Sequence, residues 1–254
     1  MQNLLQIEAA LQSVAEGRVT VLPETDSTNN NAKTLALSGA PNGSVVLALS
    51  QTSGRGRLGR AFSSQEGGLY FSFIVRGSKA QNPAHLTVCA AIAAAHAIES
   101  LCSLSVGIKW VNDLHINGKK CAGILVEGVY DGEYPLPVAA VVGIGINVSN
   151  PLPAELTSIA TSLAKEGAEV SLTDLAKALT TALTSALQEP RCPIEEYRRR
   201  SVLLGKTVLV HTPIESYPAL VLGITDEGAL RVKRGEKEVI LQAGEVTLHN
   251  PQSS

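Results

Sequence analysis

Apolar positions along the chain repeat at two different spacings, and the change from one to the other divides it. Leu4, Leu5, Ile7, Leu11 and Val14 recur at helical spacing and stop at Gly17, predicting a helix over 4–16. A short apolar run at 18–22 predicts a strand entering the turn Pro23-Glu24-Thr25-Asp26. Ser27, Thr28 and Asn29 then offer cap oxygens to a helix through 32–37, closed by Ser38-Gly39. Longer apolar runs predict strands at 44–50, 69–75, 106–110, 121–129 and 138–147, with Asp131-Gly132 as the hairpin turn between the last two. The alanine-rich stretch 86–104 follows Asn82-Pro83, a good N-cap and first-turn pair, and reads as a buried helix. His96 and Glu99 inside it argue against a membrane span. Helical spacing returns at 153–165, 173–188 and 194–204.

Beyond 204 the period shortens to two. Segments 206–211, 219–224, 229–233, 238–241 and 246–248 alternate, with Asp226-Glu227-Gly228 as a turn, and predict a small all-β barrel. The expected fold class is therefore α+β: a larger mixed sheet with helices over 1–204, and a barrel over 205–254. Strands and helices do not alternate regularly, which weakens a Rossmann reading.

Hydrophobic residues make 44% of the chain and charged residues 17%, enough apolar material for a core and too little charge for disorder. Net charge is −2 with basic residues dispersed, which speaks against general nucleic-acid binding. Cys89, Cys102, Cys121 and Cys192 show no CxxC spacing and read as free thiols of a reducing compartment. With no signal peptide pattern at the start, the expected location is cytoplasmic. The histidines show no metal-ligand spacing, and Cys89 alone makes no site, so no structural metal is expected.

Candidate chemistry sits in three segments. Residues 51–60 interleave arginines Arg55, Arg57 and Arg60 with glycines Gly54, Gly56 and Gly59, behind an apolar strand. Glycine lets a backbone approach a ligand, and guanidinium forks suit carboxylate or phosphate. An anion-gripping loop and a merely solvated basic loop both fit this spacing. Lys109-Trp110-Val111-Asn112-Asp113 and Asn117-Gly118 precede Lys119-Lys120-Cys121-Ala122-Gly123, where a strand glycine suggests close approach of a ligand beside Lys120. Val142-Gly143-Ile144-Gly145-Ile146-Asn147 repeats that interruption, although close packing against a neighbour would also explain it. A lysine, arginines and glycine-cleared backbone together suit two anions, as in activation of a carboxylate by ATP.

Assembled, these residues resemble the biotin–protein ligases. The matching pieces are Thr25-Asp26-Ser27-Thr28-Asn29, 51–60, Lys109 to Asp113, 118–127 and 143–148, in the family's order across 20–150. The resemblance implies a class II aminoacyl-tRNA-synthetase-like catalytic domain with an SH3-like barrel behind it. It implies an enzyme that makes biotinyl-5′-adenylate from biotin and ATP with Mg²⁺, then transfers biotin to a lysine of a biotin carboxyl carrier domain of a carboxylase. Lys120 and Arg57 are the implied catalytic residues. Ser27, Thr28, Asn29, Gln51, Gly54, Arg55, Gly56, Arg57, Lys120 and Gly123 would serve biotin, and Lys109, Trp110, Asn112 and Asn147 the nucleotide. The chain departs from the family's usual pattern at Val111 (commonly proline), Leu58 (commonly arginine) and Phe62 (often tryptophan). The stretch before Thr25 is too short for a helix-turn-helix domain, so a monofunctional form with no DNA partner is expected, and no membrane partner either. A homodimer through sheet edges stays open. Two alternatives remain: a lipoate or octanoate ligase of the same fold, and a biotin-binding regulator without turnover.

Overall fold

Seven strands join in one mixed sheet, and their order decides which lie at its centre. They are β1 (Val19–Thr25), β2 (Val45–Gln51), β3 (Leu69–Val75), β4 (Gly107–Lys109), β5 (Asp113–Ile116), β6 (Lys119–Val129) and β7 (Ala139–Ile146). The order is β1-β2-β3-β7-β6-β5-β4, parallel between β1 and β2 and antiparallel elsewhere. The structure, a computed structural model, describes residues 4–133, 135–212 and 214–248.

Alternate residues of the central strands feed two cores. Phe71, Phe73, Val142, Ile144 and Ile124 point to one face, where α3 (Pro83–Glu99) lies. Its buried alanines let the helix backbone come close to the sheet, and α1 (Leu4–Gln12) and α4 (Leu172–Gln188) complete this layer. Val46, Ile74 and Val141 point to the other face and meet Ala32 and Ala36 of α2 (Thr28–Leu37).

Several expectations change. Helix α1 stops at Gln12, short of 16. Strand β1 runs through Pro23 to Thr25 where a turn was expected, because β1 is an edge strand and the proline falls where the ladder to β2 skips a pair. The spacing missed β5, only four residues long. Segment 153–165 is not a helix but two 3₁₀ turns, Ala154–Leu156 and Ala164–Glu166. Between them the backbone bonds to the start of β6, Lys120 N donating to Ile159 O and Thr161 N to Lys120 O. Helix α5 (Ile194–Arg199) also stops early, and the following residues pair with the edge strand β4 through Ile108 N to Arg200 O and Val202 N to Ile108 O. In both places an otherwise unpaired strand edge claims the chain. Cys89 is not without metal-ligating neighbours either, since folding brings His85 and the distant Cys192 beside it.

The C-terminal strands form a separate antiparallel sheet, as the shortened period predicts. β8 (Thr207–His211), β9 (Ser216–Ile224), β10 (Leu230–Arg234), β11 (Lys237–Leu241) and β12 (Glu245–Leu248) pair in the order β11-β10-β9-β8-β12. It joins the main body through Trp110, whose buried indole Nε1 donates to Gly228 O at 2.9 Å, and through Arg198 Nε to Ile224 O at 2.7 Å. Among the described residues no helix is long and apolar enough to cross a membrane.

Trp110→Phe keeps an aromatic ring but removes the indole's second ring, and leaves Gly228 O without its buried donor. It should lower stability by about 1–2 kcal/mol, read as a reduced urea midpoint at unchanged slope.

Candidate active site

Lys120 faces the same side of the sheet as Gly123, which simple alternation along β6 forbids. Leu114 pairs with Ala122, but His115 pairs with Lys120, so Cys121 is an extra residue with no partner opposite. This bulge turns Lys120 toward Asp113 and Gly123. Its Nζ lies 2.7 Å from Asp113 Oδ1, and 5.9 Å from the centre of the Phe62 ring.

Across the sheet, Asp113, Gly123, Gly145 and Tyr70 stand in one row of directly paired residues, and Leu125, Gly143 and Ser72 in the next. The glycines leave a trough between Asp113 and Tyr70. Side chains of the protein lie in it: a Cβ on Gly145 would meet Phe62 at 2.6 Å, and one on Gly143 would meet Asn29 at 2.2 Å. Gly123 likewise clears room for Phe62 and for Lys120 itself. Gly123 also lines the open cleft, where a ligand was expected to approach the strand. Phe62 meets Tyr70 edge to face at 6.5 Å, and burial raises the Tyr70 hydroxyl well above its ordinary pKa.

A chain of hydrogen bonds borders the trough. Ser64 Oγ accepts from Gln51 Nε2, and Gln51 Oε1 accepts from Thr28 N at 2.9 Å and from Thr28 Oγ1 at 3.2 Å. The Ser72 hydroxyl lies 2.8 Å from Thr28 Oγ1 and 2.6 Å from Asn29 Oδ1, and Asn29 Nδ2 donates to Glu127 at 2.7 Å. Gln51 therefore caps α2, in place of Ser27, whose side chain makes no capping bond. Glu127 receives Lys33 at 2.5 Å and Arg55 at 3.2 Å. Burial pushes its carboxyl up, but the bonds from Lys33 and Asn29 outweigh that and hold it below the ordinary range.

The arginine loop closes the trough from above. Arg55 is tethered to Asn30 and Glu127, while Arg57 reaches Asn112 Oδ1 and Gly244 O, both at 3.4 Å. Arg60 grips Glu245 of β12 with both guanidinium nitrogens. The cleft so formed is open to solvent on one side and encloses about 170 Å³.

Of the residues singled out in the sequence, Ser27, Thr28, Asn29, Gln51, Arg55, Gly56, Arg57, Lys109, Trp110, Asn112, Lys120 and Gly123 line this one cleft. Two do not. Gly54 turns inward, where a Cβ would sit 2.2 Å from Ser64 Oγ, so it closes the loop on itself. Asn147 is buried and fastens the chain behind the sheet, donating to Thr161 O at 3.0 Å and accepting from Asn150. Ser72 and Glu245 carry the site's geometry without having been singled out, and Asp113, quoted within its segment, had been given no role. A serine at the middle of the apolar strand Leu69–Val75 was the available signal for Ser72, since a buried hydroxyl needs partners.

Comparison with known proteins agrees with this geometry. The model of the Biotin/lipoate A/B protein ligase family matches residues 21–147. The bifunctional ligase/repressor BirA of Bacillus subtilis is 35% identical over 224 residues, 83% of this chain and 67% of that protein. The biotin–[acetyl-CoA-carboxylase] ligase of Mycobacterium tuberculosis is 31% identical over 90% of this chain and 88% of its own length. Among solved structures, the biotin protein ligase of Aquifex aeolicus in complex with biotin and ATP superposes with a TM-score of 0.76 at 27% identity, covering 91% of this chain and 98% of that one. Such relatives are enzymes, and the match extends over both sheets. The chain belongs to the Biotin/lipoate A/B protein ligase family.

Proposed function

We propose that the cleft joins biotin and ATP into biotinyl-5′-adenylate and transfers the biotinyl group to a lysine of a biotin carboxyl carrier domain of a cytoplasmic carboxylase. The observation that carries this reading is the ammonium of Lys120, turned by the bulge onto a glycine-floored trough beneath an arginine loop. The Aquifex aeolicus neighbour, solved with biotin and ATP, supports the same ligand pair.

Lys120 carries three donors and Asp113 takes one, leaving two for a carboxylate oxygen and an α-phosphate oxygen. Held so, the biotin carboxylate attacks the α-phosphorus as the bond to pyrophosphate breaks. Lys120 offsets charge on both partners, and Arg57 closes over the adenylate and excludes water. The acceptor lysine, as free amine, then attacks the acyl carbon, AMP departs and the amine's proton goes to solvent. Trp110 and Lys109 would border the nucleotide, and Thr28, Gln51 and the trough the biotin ring. Asn29 and Glu127 would hold Arg55 in place. Asn112 and Asp113 offer hard oxygens that fit Mg²⁺, which on binding would offset phosphate charge. The polar chain from Ser64 to Glu127 favours a ureido head group over the aliphatic chain of lipoate or octanoate.

The deciding experiment mixes the protein with ATP, Mg²⁺, biotin and a carrier domain, with lipoate in a parallel reaction, and weighs the carrier. Addition of one biotinyl group supports the reading; an unchanged carrier, or lipoylation alone, refutes it. Lys120→Ala should slow biotin-dependent ATP–pyrophosphate exchange by about 100–1,000-fold with an unchanged circular dichroism spectrum; near-normal exchange would remove Lys120 from the chemistry. Arg57→Gly should release adenylate into solution and label bystander lysines, measured by biotin blotting of added albumin. Glu127 has a folded pKa below its ordinary 4.5, so it stabilises above that value and the gain vanishes as pH falls through the folded one. Glu127→Gln should therefore cost about 1–2 kcal/mol at neutral pH and almost nothing in strong acid, read from urea midpoints at the two conditions.

A further inference from the structure

On the sheet face opposite α2, α3 carries His85 and Cys89 at positions i and i+4, so both project from one side of the helix. The connection between α4 and α5 brings Cys192 against them, flanked by Pro190 and Pro193. One ligand atom from each of the three side chains lies within 4.8 Å of the other two. The His85 ring nitrogen Nε2 is buried and has no hydrogen-bond partner, an arrangement that costs free energy unless something else binds there. None of the three lines the cleft.

We propose that His85, Cys89 and Cys192 form a site for one zinc-type divalent ion, stapling α3 to the segment before α5. The donor set of two sulfurs and one imidazole selects a thiophilic ion over Mg²⁺ or Ca²⁺. Around tetrahedral zinc, sulfurs stand about 3.8 Å apart and sulfur and nitrogen about 3.5 Å, so the three atoms need to close by only about 1 Å. Binding then displaces both thiol protons to solvent, and two thiolates balance the charge of the ion. The Lys79 ammonium is bound to the carbonyls of Leu187 and Glu189, close to the same connection.

The test uses the full chain, reduced and stripped of metal, titrated with Co²⁺ under nitrogen. One equivalent should bind, with thiolate charge-transfer and tetrahedral ligand-field absorption, and Zn²⁺ should displace it and raise the thermal midpoint. Cys192→Ser lies on a half-exposed connection and should fold normally, yet lose about 100-fold or more in affinity together with much of the charge-transfer band. His85→Ala should keep the charge-transfer band but shift the ligand-field bands. Equal Co²⁺ affinity in the parent and in Cys192→Ser overturns the site. So does formation of a Cys89–Cys192 disulfide in air at the same rate with and without Zn²⁺.

Discussion

Strict alternation along β6 would send Lys120 to the α3 face, among apolar side chains, while Gly123 faced the cleft. The unmatched Cys121 reverses that, and most of the site's arrangement depends on the reversal. With Lys120 on the cleft face, Asp113 on β5 becomes its counter-ion and Phe62 its neighbour. Cys121 itself turns fully into the core, where burial pushes its thiol up to about 12 and keeps it protonated. The segment around Ile159 and Thr161 bonds the backbone of Lys120 from outside and holds the bulge in place. A loop that the sequence presents as a helix is thus part of what aims the lysine.

The same reasoning explains the glycines of β6 and β7. A Cβ on any of Gly123, Gly143 or Gly145 would meet a side chain that belongs to the protein's own site. These positions first make room for Asn29, Phe62 and Lys120, and only then for anything that enters. The relay that begins at Ser64 and ends at Glu127 leaves Gln51 and Asn29 with their amide groups already engaged. They act as rigid borders more than as free hands.

The central strands were legible because they are continuous apolar runs, and β3 falls at 69–75 as the spacing indicates. The C-terminal strands were legible for the opposite reason, a clean alternation visible in the burial of β9. Strand β5 was not, because its alternation of Asp113, Leu114, His115 and Ile116 lasts only four residues, too short to stand out. Folding gathers into one cleft most of the residues singled out where glycine and cation occur together in sequence, Gly54 excepted. Asn147 lies outside the cleft, and the sequence gives no sign of it, because an amide ending a glycine-rich strand looks the same whether it faces a ligand or pins the chain at Thr161. Glu245 and Cys192 could not be read at all, since their partners, Arg60 and Cys89, lie far away along the chain and only tertiary folding joins them.

Contacts of different kinds connect the C-terminal sheet to the rest, among them the Trp110 hydrogen bond and the Arg60–Glu245 ion pair. The Trp110 indole is sealed from water, whereas Arg60 is 65% exposed where it meets Glu245. Mobile ions screen the second and barely affect the first. Rising ionic strength therefore weakens the tie between the arginine loop and β12 well before it touches the buried bond between the two sheets.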